Sequence, residues 1–169
     1  MTVLSTSYDA KVSAAICAML AACAAFQTAM GKANATVALD VIVEDDAGHD
    51  PAGKQATSGA TLSVAGSWAV VRLGPTRTVD RAAYTWGREG TAQIMIVLRP
   101  TAGDIPSEVI RRARNLQGDT RDQFEAQFGG VGKIAAGTIE AGPIAIDDTL
   151  GVLQNAALIP FNLSWRDLP

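Results

Sequence analysis

The chain is poor in the side chains on which most protein chemistry depends. Its 169 residues include one histidine, His49, two cysteines, 5% aromatic and 18% charged residues. A single histidine leaves no Ser-His-Asp or Cys-His arrangement except one built on the loop that carries it, where preorganisation is poor. Cys17 and Cys23, six positions apart in one helical stretch, fall on different sides of a helix and cannot be bridged. They read as small buried hydrophobes. The apolar stretch over residues 12–25 is too short and too alanine-rich for a membrane span. With 14 basic against 17 acidic residues, a net charge of −3, the chain has no cluster of Lys and Arg able to form an extended phosphate-gripping groove.

What is abundant is small and apolar. Hydrophobic residues make up 48% of the chain, and 30 residues are alanine. The length suits one domain with a core that needs neither disulfide nor metal. A charged fraction below the roughly 25% of ordinary soluble domains implies a surface that something covers.

Periodicity predicts the elements. A helix is expected over residues 7–30, capped by Ser5, Thr6 or Ser7 and stopped at Gly31, with Val12, Ile16, Met19, Leu20, Cys23 and Phe26 on one stripe. Its other face is mostly Ala, Ser and Gln, which suits close contact with a neighbouring subunit. Lys11 followed by an apolar run to Leu20-Ala21-Ala22-Cys23 also resembles a lipoprotein signal. Against that reading, Asp9 sits where a positive segment belongs and the apolar period continues to Phe26.

Residues 36–43 alternate, with Val37, Leu39, Val41 and Val43 on one side, and predict a half-buried strand. Residues 45–60 contain nothing apolar larger than Ala and predict a long exposed loop or arm. Strands are expected at 67–73 and 77–86 with a turn at Gly74-Pro75. Another turn is expected at Arg88-Glu89-Gly90, then a central strand at Ile94-Met95-Ile96-Val97-Leu98 buried on both faces. Short connections imply antiparallel pairing. A second helix begins near Asp104 and Pro106, carries Val109, Ile110, Ala113 and Leu116 inward, and ends at Gly129-Gly130 after a possible break at Gly118. Short strands follow at 134–139 and 144–147. The last strand alternates Ile159, Phe161, Leu163 and Trp165 with polar residues, and its Pro160 suggests a sheet edge. The expected fold class is α+β: an antiparallel β-sheet packed by a long N-terminal helix and a second helix, with a terminal edge strand, in one domain over residues 1–169.

Three patterns invite a chemical reading. Phe128-Gly129-Gly130-Val131-Gly132-Lys133 has the flavour of a phosphate loop, but Gln127 and Ile134 stand where that motif needs Gly and Ser or Thr, so a helix stop and turn is preferred. Glu44, Asp45, Asp46, His49 and Asp50 are metal-ligand types, yet the spacing of a calcium loop is absent and a charge run is ordinarily solvated. Arg111, Arg112, Arg114 and Arg121 alternate with Glu108, Asp119, Asp122 and Glu125, the pattern of intrahelical ion pairs or of an intersubunit salt-bridge surface. Neither a catalytic group, nor a metal, nor a cofactor is expected. The candidate contacts are instead assembly contacts: Asp45, Asp46, His49, Asp50 and Lys54 in the long loop, Tyr84, Trp86 and Arg88 at a hairpin end, and Arg111, Arg112 and Arg114 on the second helix.

The order of long amphipathic helix, antiparallel sheet, second helix, Gly-rich turn and the terminal segment Ile159-Pro160-Phe161-Asn162-Leu163-Ser164-Trp165-Arg166 resembles the tail terminator and tail completion proteins of tailed bacteriophages. The likeness lies in the order of elements rather than in a motif. It implies a non-enzymatic virion protein, assembled in the host cytoplasm and forming a ring, usually a homohexamer, in the tail or neck. Its partners would be the tail tube protein and a head-completion or stopper protein, with DNA passing the lumen unread and no membrane involved. A tail tube or head-tail connector subunit is the nearest alternative, and a lipid-anchored secreted ligand-binding domain is one of a different class.

Overall fold

A computed structural model describes residues 8–44, 55–63, 66–82, 85–147 and 155–167. The fold is α+β: helices α1 (Tyr8–Ala21), α2 (Ala24–Ala29), α3 (Ala35–Ala38) and α4 (Pro106–Glu125) with a mixed sheet of strands β1 (Ile42–Glu44), β2 (Trp68–Ala82), β3 (Thr85–Leu98), β4 (Ala136–Ala141), β5 (Ala145–Ile146) and β6 (Ala157–Asp167). The strand order is β1-β2-β3-β6-β4, with β5 also paired to β6.

Alternation decides which side chains enter the core. Val71, Ile94 and Phe161 lie opposite one another across β2, β3 and β6, and Leu73, Ala92, Leu163 and Ile139 form the next row. These rows face α1, α2 and α4, whose Val12, Ile16, Met19, Leu20, Phe26, Val109, Leu116 and Phe124 complete one large cluster. Ile94, Ile96 and Leu98 of the expected central strand and Phe161 and Leu163 of the alternating last strand are all buried. The central strand is covered on both sides, because Val97 belongs to a second cluster with Val43, Leu62, Trp68, Val70 and Ala156.

The first helix is two helices. Cys23 takes an extended conformation, φ −71° and ψ 117°, and splits α1 from α2 without moving the apolar stripe off the core. Such a break strands backbone groups, which must find other partners. Glutamines supply them: Gln27 Nε2 donates to the Ala21 carbonyl at 2.8 Å, Gln127 Nε2 donates to that of Met19 at 2.8 Å, and the Ala25 N–H donates to Gln123 Oε1 at 2.9 Å. The cap expected at residues 5–7 lies outside the described residues.

Several expectations need correction. Residues 36–43 are not one strand: the Asn34 side chain caps α3 by accepting from the Val37 N–H at 3.2 Å, a 3-10 turn follows at Leu39–Val41, and only Ile42–Glu44 are extended. Four alternating apolar positions are too few to outweigh that cap. Gly74-Pro75 is not a turn but an irregularity within the single strand β2, where the register slips between Leu73 and Thr76. Arg88-Glu89-Gly90 likewise lies inside β3. The pairing is not wholly antiparallel, since β1 runs parallel to β2. Helix α4 passes through Gly118 unbroken. The terminal strand is interior rather than an edge, flanked by β3 on one side and by β4 and β5 on the other. Pro160 is tolerated there because its carbonyl points towards Gly142, accepting at 3.0 Å, so its missing N–H falls in the gap between β4 and β5. Of the expected loop at 45–60, residues 55–60 fold back: Gln55 bridges to Thr61, the Thr57 N–H donates to the Ile42 carbonyl at 2.8 Å and Ala56 is buried in the second cluster.

Two glycines permit close packing. A Cβ on Gly90 would lie 2.8 Å from the Pro75 carbonyl and 2.7 Å from the Trp165 ring, and one on Gly137 would lie 2.6 Å from the Ser164 carbonyl. We expect Phe161→Ala to cost about 3–5 kcal/mol in urea unfolding, and Val131→Ala, at a fully exposed turn position, to stay within about 0.5 kcal/mol.

Candidate assembly surface

The helices cover one face of the sheet, and the segment around Ala56 and Leu62 covers the β1 end of the other. Among the described residues, the rest of that second face turns polar from Arg72, Gln93 and Asn162 onwards. Register places Arg72, Gln93, Asn162 and Glu140 in one row, Thr91, Ser164 and Thr138 in the next, and Arg77, Glu89 and Arg166 in a third. A groove of about 760 Å³ runs over the last two rows, lined by Thr76, Arg77, Thr91, Thr138, Ser164 and Arg166 among others.

Glu89 organises the third row. The Arg77 guanidinium forms an ion pair with it, Nε donating to Oε1 at 2.6 Å, and Arg166 Nε stands 3.7 Å from Oε2. The carboxylate is largely withdrawn, its side chain 17% exposed, whereas the two arginines are 78% and 55% exposed. Two guanidiniums around one carboxylate leave a net positive charge facing solvent. This cluster was not singled out from the sequence, where Arg77 and Arg166 are 89 positions apart. Their proximity follows from β3 pairing with both β2 and β6.

The sequence candidates are scattered. Asp45, Asp46, His49, Asp50, Lys54 and Tyr84 lie outside the described residues. Trp86 is on β3 opposite Asp80, and Arg88 is exposed opposite Thr78 and Asp167. Arg111 and Arg114 are exposed on α4. Arg112 is committed locally: it pairs with Asp104 and donates to Thr101 Oγ1 at 3.0 Å, bracing the turn before α4. Thr101 and Glu108 tighten the same turn, the Thr101 N–H donating to Asp104 Oδ2 at 2.6 Å and the Ile105 N–H to Glu108 Oε2 at 3.2 Å. Arg112 is therefore a structural residue, and the structure does not bring the three helix arginines together with the hairpin.

No group of three His, Cys, Asp or Glu residues placed to hold a metal occurs among the described residues, and no described helix is long and apolar enough to cross a membrane. Both cysteines are free and buried. Burial raises the Cys17 thiol, with Glu44 adding to the effect, and burial pushes Cys23 up to about 12. The Cys23 thiol donates to the Met19 carbonyl at 3.3 Å. Neither is poised as a nucleophile.

No family model and no curated protein matches this chain.

Raised thiol pKa values mean that the folded state retains protons the unfolded chain releases above its ordinary 9.0. Stability should therefore fall as pH rises from about 9 towards 12, and Cys17→Ala/Cys23→Ala should flatten that slope in urea titrations. Both thiols should resist an aromatic disulfide reagent at pH 8 until the chain unfolds.

Proposed function

We propose that this chain is a structural subunit of a tailed-bacteriophage virion, a tail terminator that assembles into a ring, caps the tail tube and joins it to the head-completion proteins. The observation that carries the reading is the arrangement of surfaces. A sheet covered by helices on one face carries a long β2–β3 hairpin, and its second face offers a polar groove bordered by Arg77, Glu89 and Arg166. The order of helix, hairpin, helix and closing strands agrees with the order of elements on which the family resemblance rests.

A low charge is suited to such an assembly, because interface cores are depleted in charge. The slight acidity of the whole chain suits a passage through which DNA slides, since strong phosphate binding would impede it. A tail tube or connector subunit shares these features and differs in what it stacks on. The lipid-anchored alternative fares worse on physical grounds. Maturation at Cys23 would strip Val12, Ile16, Met19 and Leu20 from the main core and expose Cys23, itself 1% exposed.

Light scattering across a concentration series, followed by negative-stain microscopy, tests the proposal. Rings that bind the ends of purified tail tubes and halt their elongation are expected. A monomer at every concentration, with and without tubes, would overturn the reading, and co-polymerisation along the tube would favour the tube subunit instead.

A further inference from the structure

The sheet is asymmetric in charge and in shape. At one side, β2 and β3 run on past the rest of the sheet: β1 pairs only with Ala69–Val71 of β2, and the pairing of β6 with β3 ends at Arg88 opposite Asp167. Beyond that, residues 79–82 and 85–87 form a ribbon of two strands. Along β2 from Arg72 onwards no described strand pairs with its outer edge. Gly87 and Glu89 lie on the side of β3 that bonds to β2, so Thr76 and Thr78, in the alternate register, turn their peptide groups to that open edge. None of the described side chains between residues 74 and 91 belongs to either hydrophobic cluster. An unpaired strand edge of this kind is a template for pairing with another chain.

Charge indicates which partner. The segment 72–91 holds Arg72, Arg77, Arg81 and Arg88 against Asp80 and Glu89, an excess of 4 − 2 = +2. At the opposite edge of the sheet, α4 packs on β4 and β6. Its last two turns carry Asp119, Asp122 and Glu125, all exposed on one stripe at spacings of three, against Arg121, an excess of 1 − 3 = −2. Arg121 is spent on its neighbour Asp122 at 3.0 Å. The ribbon and the acidic helix end belong to different parts of the sheet, with β3 lying between β2 and the strands β6 and β4 on which α4 packs. Between copies they form a heterologous, head-to-tail contact, the type that closes into rings.

We infer that the β2–β3 ribbon of one subunit docks on the acidic C-terminal half of α4 of a second copy of this chain, with the open edge of β2 turned to the neighbour. The inference rests on the ring reading only in requiring an oligomer, and it names the two surfaces that build it.

The test is a charge swap read by light scattering and sedimentation at low and high salt. Asp119→Lys/Glu125→Lys lies at exposed helix positions and should keep the helical spectrum and melting temperature. It should weaken association by about tenfold or more, as should Arg77→Glu/Arg88→Glu at the base of the ribbon. Combining all four substitutions should restore association to within about threefold of the parent, because the charges are exchanged rather than lost. Added salt should weaken the parent assembly and the swapped one alike. If ribbon substitutions perturb folding, Thr78→Pro provides the second probe: it removes a peptide N–H on the open edge without removing one that bonds to β3, and should also weaken association. A wild-type chain that is always monomeric overturns both this inference and the ring reading. A wild-type oligomer indifferent to the α4 reversal and to Thr78→Pro overturns this inference alone.

Discussion

The pairing of β6 with β3 is the interaction on which the rest of the structure depends. It joins the C-terminal strand to one 59 to 79 residues earlier, in a register that runs without interruption from Arg88–Asp167 to Leu98–Ala157. Because side chains alternate, this register alone sets Ile94 beside Phe161 and Ile96 beside Ile159 on the helix side, and Gln93 beside Asn162 on the open side. A slip of one residue would turn Phe161, Leu163 and Trp165 outward and lay Asn162, Ser164 and Arg166 against α1 and α4. The polar residues of β6 therefore specify the register as firmly as the apolar ones. Such a non-local contact is slow to form, since the loop-closure entropy comes due before the contacts reward it. The helices dock only on the surface that it creates.

That constraint explains the placing of glycine and proline. Gly90 and Gly137 flank Trp165 in the same row, where the indole of Trp165 and the ring of Phe128 lie against the bare backbone. A strand that carries a tryptophan near its end can remain in the middle of the sheet only if its neighbours are small there. Pro160 occupies the one stretch of β6 where the flanking edge is interrupted. The same sequence that weakens strands elsewhere thus marks where aromatic bulk and missing donors can be absorbed.

Much of this was legible in the sequence, and the failures share a cause. The inward faces of β3, α4 and β6 were readable because large apolar residues recur over enough positions to separate a period of two from one of 3.6. Residues 36–43 offered too few positions, and the capping side chain of Asn34 decided for helix. Gly74-Pro75 and Arg88-Glu89-Gly90 carry turn chemistry, yet cross-strand pairing holds both within strands, at the cost of an irregular step in β2. Pro160 signalled an edge because the gap between β4 and β5 is a tertiary fact with no local trace. The Arg77–Glu89–Arg166 cluster was invisible for the same reason: it exists only once β2, β3 and β6 lie side by side. The arginines that stood out in sequence, on α4, are divided between Arg112, absorbed into a helix start, and Arg111 and Arg114, left in solvent.

The low charge of the chain takes on a more definite meaning in this light. Charge is not evenly thin over the molecule: residues 72–91 hold four arginines against two acidic residues, and the last two turns of α4 hold three acidic residues against one arginine. Opposite local excesses of this kind would let two copies attract although each carries a net charge of only −3. Such excesses favour head-to-tail contacts over symmetric ones, because a self-complementary patch would set like charges against each other. Head-to-tail contacts either close into rings or run on as filaments, and the difference is set by the angle between the two surfaces. In the proposed ring a sheet braced by an unbroken 20-residue α4 would fix that angle, so the β3–β6 register that builds the core would also set the geometry of the proposed contact.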